Sequence, residues 1–95
     1  FPTRRSSDLA IPLFSLGDGT EVTASSMKDG QVHVYTERWS DEKDMFLHAD
    51  IVIPGASVVS SEGYSDEEIR KMQDHYTKLQ NDIIEYVTEK ETISA

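Results

Sequence analysis

The sequence predicts an α+β domain: a four-stranded antiparallel β-meander with one long C-terminal helix packed on one face. Three observations carry this. The first half alternates short strand-like runs with turns rich in glycine and aspartate, which is hairpin patterning. The loop lengths place one apolar set on a single face. The second half switches to apolar steps of three and four behind a capping motif, the signature of an amphipathic helix.

The strand runs are Ile11–Leu16, Thr20–Met27, Gln31–Trp39 and Asp44–Ile53. Gly17-Asp18-Gly19 and Lys28-Asp29-Gly30 both end in glycine. That suits three-residue hairpin loops whose last residue is left-handed. Ser40-Asp41-Glu42-Lys43 reads as a four-residue loop, and Pro54-Gly55 stops the last strand. These loops set Phe14 opposite Val22, Ala24 opposite Val34, Val34 opposite Ala49 and Val32 opposite Ile51. One face then holds Phe14, Leu16, Val22, Ala24, Val32, Val34, Leu47, Ala49 and Ile51. A slip of one residue would scatter that set.

Ser57–Tyr64 reads as the connector to the helix, long enough to serve as a mobile binding loop. Ser65-Asp66-Glu67-Glu68 is a capping box, in which Ser65 accepts from the third amide and Glu68 reaches back. Apolar residues follow at Ile69, Met72, Tyr76, Leu79, Ile83 and Tyr86, widened by Ile84 and Val87, with the helix running to about Lys90. The spacing also fits a coiled-coil seam. The exposed sheet face needs cover, however, so the stripe is expected to pack there as the second layer.

The chain has no cysteine and a formal net charge of −9 at pH 7. That excludes disulfide staples and thiolate metal sites. It opposes nucleic acid, which needs a basic footprint, and anionic membrane surfaces. No run approaches a span of about 20 apolar residues. A cytoplasmic location is expected, with neither nucleic acid nor membrane as partner.

Residues 1–9 (Phe1-Pro2-Thr3-Arg4-Arg5-Ser6-Ser7-Asp8-Leu9) resemble one translated frame of a short-read sequencing adapter. They are therefore expected to be artefactual, leaving residues 10–95 as a single small α+β domain. Without Arg4, Arg5 and Asp8 the remainder is one unit more acidic. From Gln31 onward the chain is similar to a small bacterial domain family of unknown function. The matching pieces are His33-Val34-Tyr35, the strand Met45–Ile53 and the capped helix Ser65–Val87. The family's preceding Pro-Pro-His-Phe run is replaced here by Gly30-Gln31-Val32. The resemblance implies a sheet-plus-helix fold and no activity.

The same alternation leaves a second face carrying Leu13, Thr23, Ser25, Met27, His33, Tyr35, Glu37, Trp39, Phe46, His48, Asp50 and Val52. His33 is expected opposite Asp50, and Tyr35 opposite His48. So many aromatic rings on an open face indicate an interface. One use is a homodimer through Phe46, Met27 and Val52, with Tyr86 on the helix, since two-fold oligomers are the commonest. Another is a ligand site in which Trp39, Tyr35 and His48 stack on a planar group while His33, Arg38 or Lys43 meets its polar atoms. A metal site of His33, His48 and Asp50 is set aside, because diagonal strand positions rarely converge and no zinc-spaced histidine pair is present.

No catalytic motif occurs. His33–Asp50 could orient an imidazole, but no serine or cysteine nucleophile is identifiable beside it. The expected function is non-enzymatic and without a cofactor. The chain is read as a phage or mobile-element accessory protein acting against host defence, sequestering a small signalling nucleotide as a homo-oligomer. The alternative is an acidic protein inhibitor, or an antitoxin-like regulatory subunit, engaging a basic partner.

Overall fold

Alternating apolar residues on two long neighbouring runs build the centre of the sheet, and shorter strands flank it. The computed structural model describes residues 11–94, the last four by backbone alone. The segment 1–9 lies outside the described residues. The elements are β1 (Ile11–Ser15), β2 (Glu21–Ala24), β3 (Val32–Ser40), β4 (Met45–Ile53), β5 (Ser57–Glu62) and α1 (Asp66–Ser94). The strands form one antiparallel sheet in chain order. α1 lies across one face and closes a core of Val22, Ala24, Val32, Val34, Ala49, Ile51 and Ile53 against Tyr76, Ile83 and Val87.

The sheet has five strands where the sequence predicts four. Ser57–Glu62, expected as a loop, pairs with β4 as an edge strand exposed along its whole length. Pro54 and Gly55 do end β4, but they open a turn and not a departure from the sheet. The helix fastens that turn: Gly55 N–H donates to Gln80 Oε1 at 3.1 Å, and Gln73 Nε2 donates to the Ala56 carbonyl at 2.8 Å.

The first hairpin follows the expected register, with Phe14 opposite Val22 and a three-residue loop closed by Leu16 N–H to the Thr20 carbonyl at 2.8 Å. The second turn is shorter than expected. Only Asp29 and Gly30 lie between the paired Lys28 and Gln31, both at positive φ, the signature of a type I′ turn. Ala24 still faces Val34, because an extra residue on the β2 side is absorbed between Ser25 and the turn. The third loop is Asp41–Asp44, so Ser40 faces Met45, Val34 faces Ile51 and Val32 faces Ile53. That register differs from the expected one by two residues. A shift of two keeps each side chain on its face and changes only its neighbour.

Five residues depart from their expected surroundings. Phe14 and Leu16 are 36% and 52% exposed, because a groove separates them from the first turns of the helix. Leu13 is the unpaired residue of a bulge between Pro12 and Phe14, and it packs against the core, not on the open face. Val52, expected in the exposed interface, is only 6% exposed. Met27 is half-buried against the core cluster.

At the start of α1 the capping box forms as predicted. Glu68 N–H donates to Ser65 Oγ at 3.2 Å, and Ser65 N–H donates to Glu68 Oε1 at 2.9 Å. Just before it, Gly63 sits at φ +90°, where a Cβ would collide with the Leu47 side chain. Only glycine lets the chain turn from β5 into the helix this close to β4. The helix continues beyond Lys90 to Ser94.

Candidate functional site

β3 decides the geometry of both candidate surfaces. Its even-numbered residues face the helix, and its odd-numbered residues His33, Tyr35, Glu37 and Trp39 face away from it. Arg38 therefore lies on the opposite side of the sheet from Tyr35, Trp39 and His48. Around the loop end of β3, however, Arg38, Trp39 and Lys43 line one pocket of about 460 Å³ with Asp41, Glu42 and Glu68, while Tyr35, His33 and His48 lie outside it.

On the open face, His33 Nδ1 meets Asp50 Oδ1 at 2.8 Å, although Asp50 stands directly opposite Tyr35 and His33 opposite Val52. The contact is diagonal. His48 lies opposite Glu37, not Tyr35, and its Nε2 meets Glu62 Oε1 of β5 at 3.1 Å. Tyr35 stacks beside His33, with ring centroids 6.0 Å apart. Trp39 and Phe46 pair edge to face at 5.1 Å, and Trp39 Nε1 donates to Asp41 Oδ1 at 2.8 Å. Lys43, in the loop after β3, donates from Nζ to the Gly63 carbonyl. Tyr86 sits on the outer part of α1 beneath Lys90, whose Nζ lies 5.4 Å from its ring.

The helix side holds a second site. Along β3 the helix-facing positions run Val32, Val34, Thr36, Arg38 and Ser40. The first two pack into the core; the next two line a cavity of about 350 Å³. Its floor and walls are Phe14, Leu16, Thr20, Thr36, Tyr64 and Tyr76, with Arg38, Lys71, His75, Asp18 and Glu68 among its polar lining. Thr36 Oγ1 and Tyr76 Oη share a hydrogen bond of 2.6 Å at its base.

Charges in the groove are held loosely. The Arg38 guanidinium has Asp18 Oδ2 on one side and Glu68 Oε2 on the other, each 4.0 Å away and beyond hydrogen-bond reach. Asp18 is held below the ordinary carboxylate range, chiefly by hydrogen bonds from the Thr20 side chain and backbone. Glu68 is lowered too, first by the Ser65 backbone N–H. Burial pushes Tyr76 up, with Thr36 partly offsetting it. Burial also pushes Tyr64 up, against the nearby Arg38 charge. The Tyr64 hydroxyl is buried, and no hydrogen bond closes on it.

Of the residues expected from sequence, Arg38 shares a pocket with Trp39 and Lys43 but not with Tyr35 or His48, and the pattern does not single out Phe14, Tyr64, Lys71, His75 and Tyr76 as a cluster. One signal was present: Thr36 and Arg38 occupy helix-facing positions in an otherwise apolar alternation. Among the described residues no group of three His, Asp or Glu side chains is arranged to hold a metal ion. No helix among them is long and apolar enough to cross a membrane. No family model, curated protein or solved structure matches the chain.

Proposed function

We propose that this chain is a non-enzymatic binding protein that sequesters a small planar anion, a signalling nucleotide being the class that fits, in the groove between the β1–β2 hairpin and the first turns of α1. The observation that carries the reading is Arg38. Its guanidinium stands at a groove of about 350 Å³ with two carboxylates 4.0 Å away. A planar fork in that position can take a phosphate bidentately. Ligand cavities begin at about 300 Å³, so the volume suits a mononucleotide-sized body.

Electrostatics supports the same location. The whole chain carries −9, which repels an anion at long range. Within the groove, Arg38 and Lys71 match Asp18 and Glu68 in number. The local charge is therefore balanced where the overall charge is not. Phe14, Tyr64 and Tyr76 supply aromatic surface for the base. Exposed Phe14 and Leu16 at the lip are the apolar area that a bound ligand or a second copy covers.

Native mass spectrometry of the chain with a mixed pool of cyclic and linear nucleotides tests this. The expected result is a discrete added nucleotide mass that disappears in Arg38→Ala and persists in Trp39→Ala. The same spectra report whether the liganded species is a dimer. If no nucleotide in the pool binds, the reading is wrong. Loss in Trp39→Ala with retention in Arg38→Ala would move the site to the open face.

A further inference from the structure

We propose that the open sheet face is a docking surface for an arginine-bearing segment of a basic protein, separate from the groove behind it. Cross-strand pairing brings Glu21, Glu37, His48 and Glu62 into one row across four strands. Flanking rows, about 7 Å away along the strands, carry Tyr35 beside Asp50 on one side and Trp39 beside Phe46 on the other. Carboxylates thus alternate with aromatic rings. Trp39 and Phe46 are 45% and 49% exposed, so the rings are presented to a partner and not buried within the fold.

Charge selects the occupant. Every lysine and arginine among the described residues lies elsewhere. Lys28 is in a turn, Arg38 faces the helix, Lys43 is in the loop after β3, and the others are on α1. A second copy of the same face would set acidic rows against each other, which is unfavourable. A cationic segment meets carboxylates at the central row and at Asp50, and aromatic rings at the rows on either side. Arginine fits better than lysine because its planar guanidinium stacks on aromatic faces and also forks onto carboxylates.

The only tryptophan of the chain, Trp39, reports occupancy directly. Nona-arginine peptide is titrated into the full chain at low salt while Trp39 emission is followed, with nona-lysine as comparison. We expect a saturable change with nona-arginine, and about tenfold weaker binding of nona-lysine. Glu37→Gln combined with Glu62→Gln is expected to weaken nona-arginine by about tenfold or more, since both carboxylates face the peptide. Phe46→Ser, with its fold checked by circular dichroism, is expected to weaken it as well. Asp82→Asn with Glu85→Gln removes the same charge from the exposed surface of α1 and is expected to leave affinity within about twofold, apart from weak screening-dependent attraction. Unchanged Trp39 emission would overturn the proposal. So would helix variants that weaken binding as much as the face variants, and so would equal affinity for the two peptides.

Discussion

One strand face shows two different outcomes within nine residues. At the start of β3, Val32 and Val34 are fully buried against the helix layer with Ile51, Ile53 and Val87. Farther along the same face, Thr36 and Arg38 look into a groove whose far wall, Phe14 and Leu16, is left exposed. The strand geometry is continuous; the chemistry of alternate side chains is not. Apolar residues pull the helix onto the sheet, because each buried aliphatic side chain contributes roughly 1.5–3 kcal/mol. A guanidinium has no such return and keeps its water. The closed half of the interface supplies stability, and the open half leaves the groove proposed above as the ligand site.

Substitutions can break or sharpen that contrast. Ile51→Ala, in the closed half, should cost about 2–5 kcal/mol by urea denaturation, with both transfer and cavity contributing. Thr36→Val sits at the boundary. It leaves the buried Tyr76 hydroxyl without its 2.6 Å partner and should cost about 1–3 kcal/mol. Adding Tyr76→Phe should recover most of that loss, and failure to recover would mean that Thr36 matters for another reason.

At the open end, Ser65→Ala removes the cap acceptor for Glu68 N–H and should cost about 1 kcal/mol by thermal denaturation. The pH profile belongs to the same corner. Asp18 and Glu68 are both depressed in the folded protein, so the unfolded chain binds more protons in acid. Their contribution is present above the ordinary carboxylate pKa, about 4, and is lost as pH falls through their folded values. Glu68→Gln should flatten that acid limb. Tyr64→Phe is the one substitution expected to cost nothing. Its hydroxyl is buried without a partner, so removal should leave stability unchanged or raise it, by up to about 1–3 kcal/mol. A loss above about 1 kcal/mol would show that the hydroxyl is hydrogen-bonded in solution.

The core was readable because periodicity is local. Val22, Ala24, Val32, Val34, Leu47, Ala49 and Ile51 fall on one face under any register that keeps strand parity, and all seven are buried. The capping box was readable for the same reason, since both of its hydrogen bonds close within four residues. β5 was not readable. Ser57-Val58-Val59-Ser60-Ser61-Glu62 is an edge strand held by backbone hydrogen bonds to β4, and an element that buries no side-chain face leaves no hydrophobic alternation. The candidate site was half legible: the open aromatic face followed from alternation, whereas Arg38 belonged to the other side of the same strand.

By itself, then, the sequence determined which residues share a face, where the helix begins and which side of the sheet it covers. These follow from strand and helix periods, which are properties of the backbone. The tertiary structure alone decided which cross-strand partners meet, that a fifth strand joins the sheet, and that a groove stays open between the first turns of the helix and Phe14, Leu16 and Arg38. Those outcomes depend on turn geometry and on how far one rigid helix extends over a twisted sheet. Moving a four-residue loop by one position shifts the register by two, which alters every neighbour while leaving the apolar pattern the same.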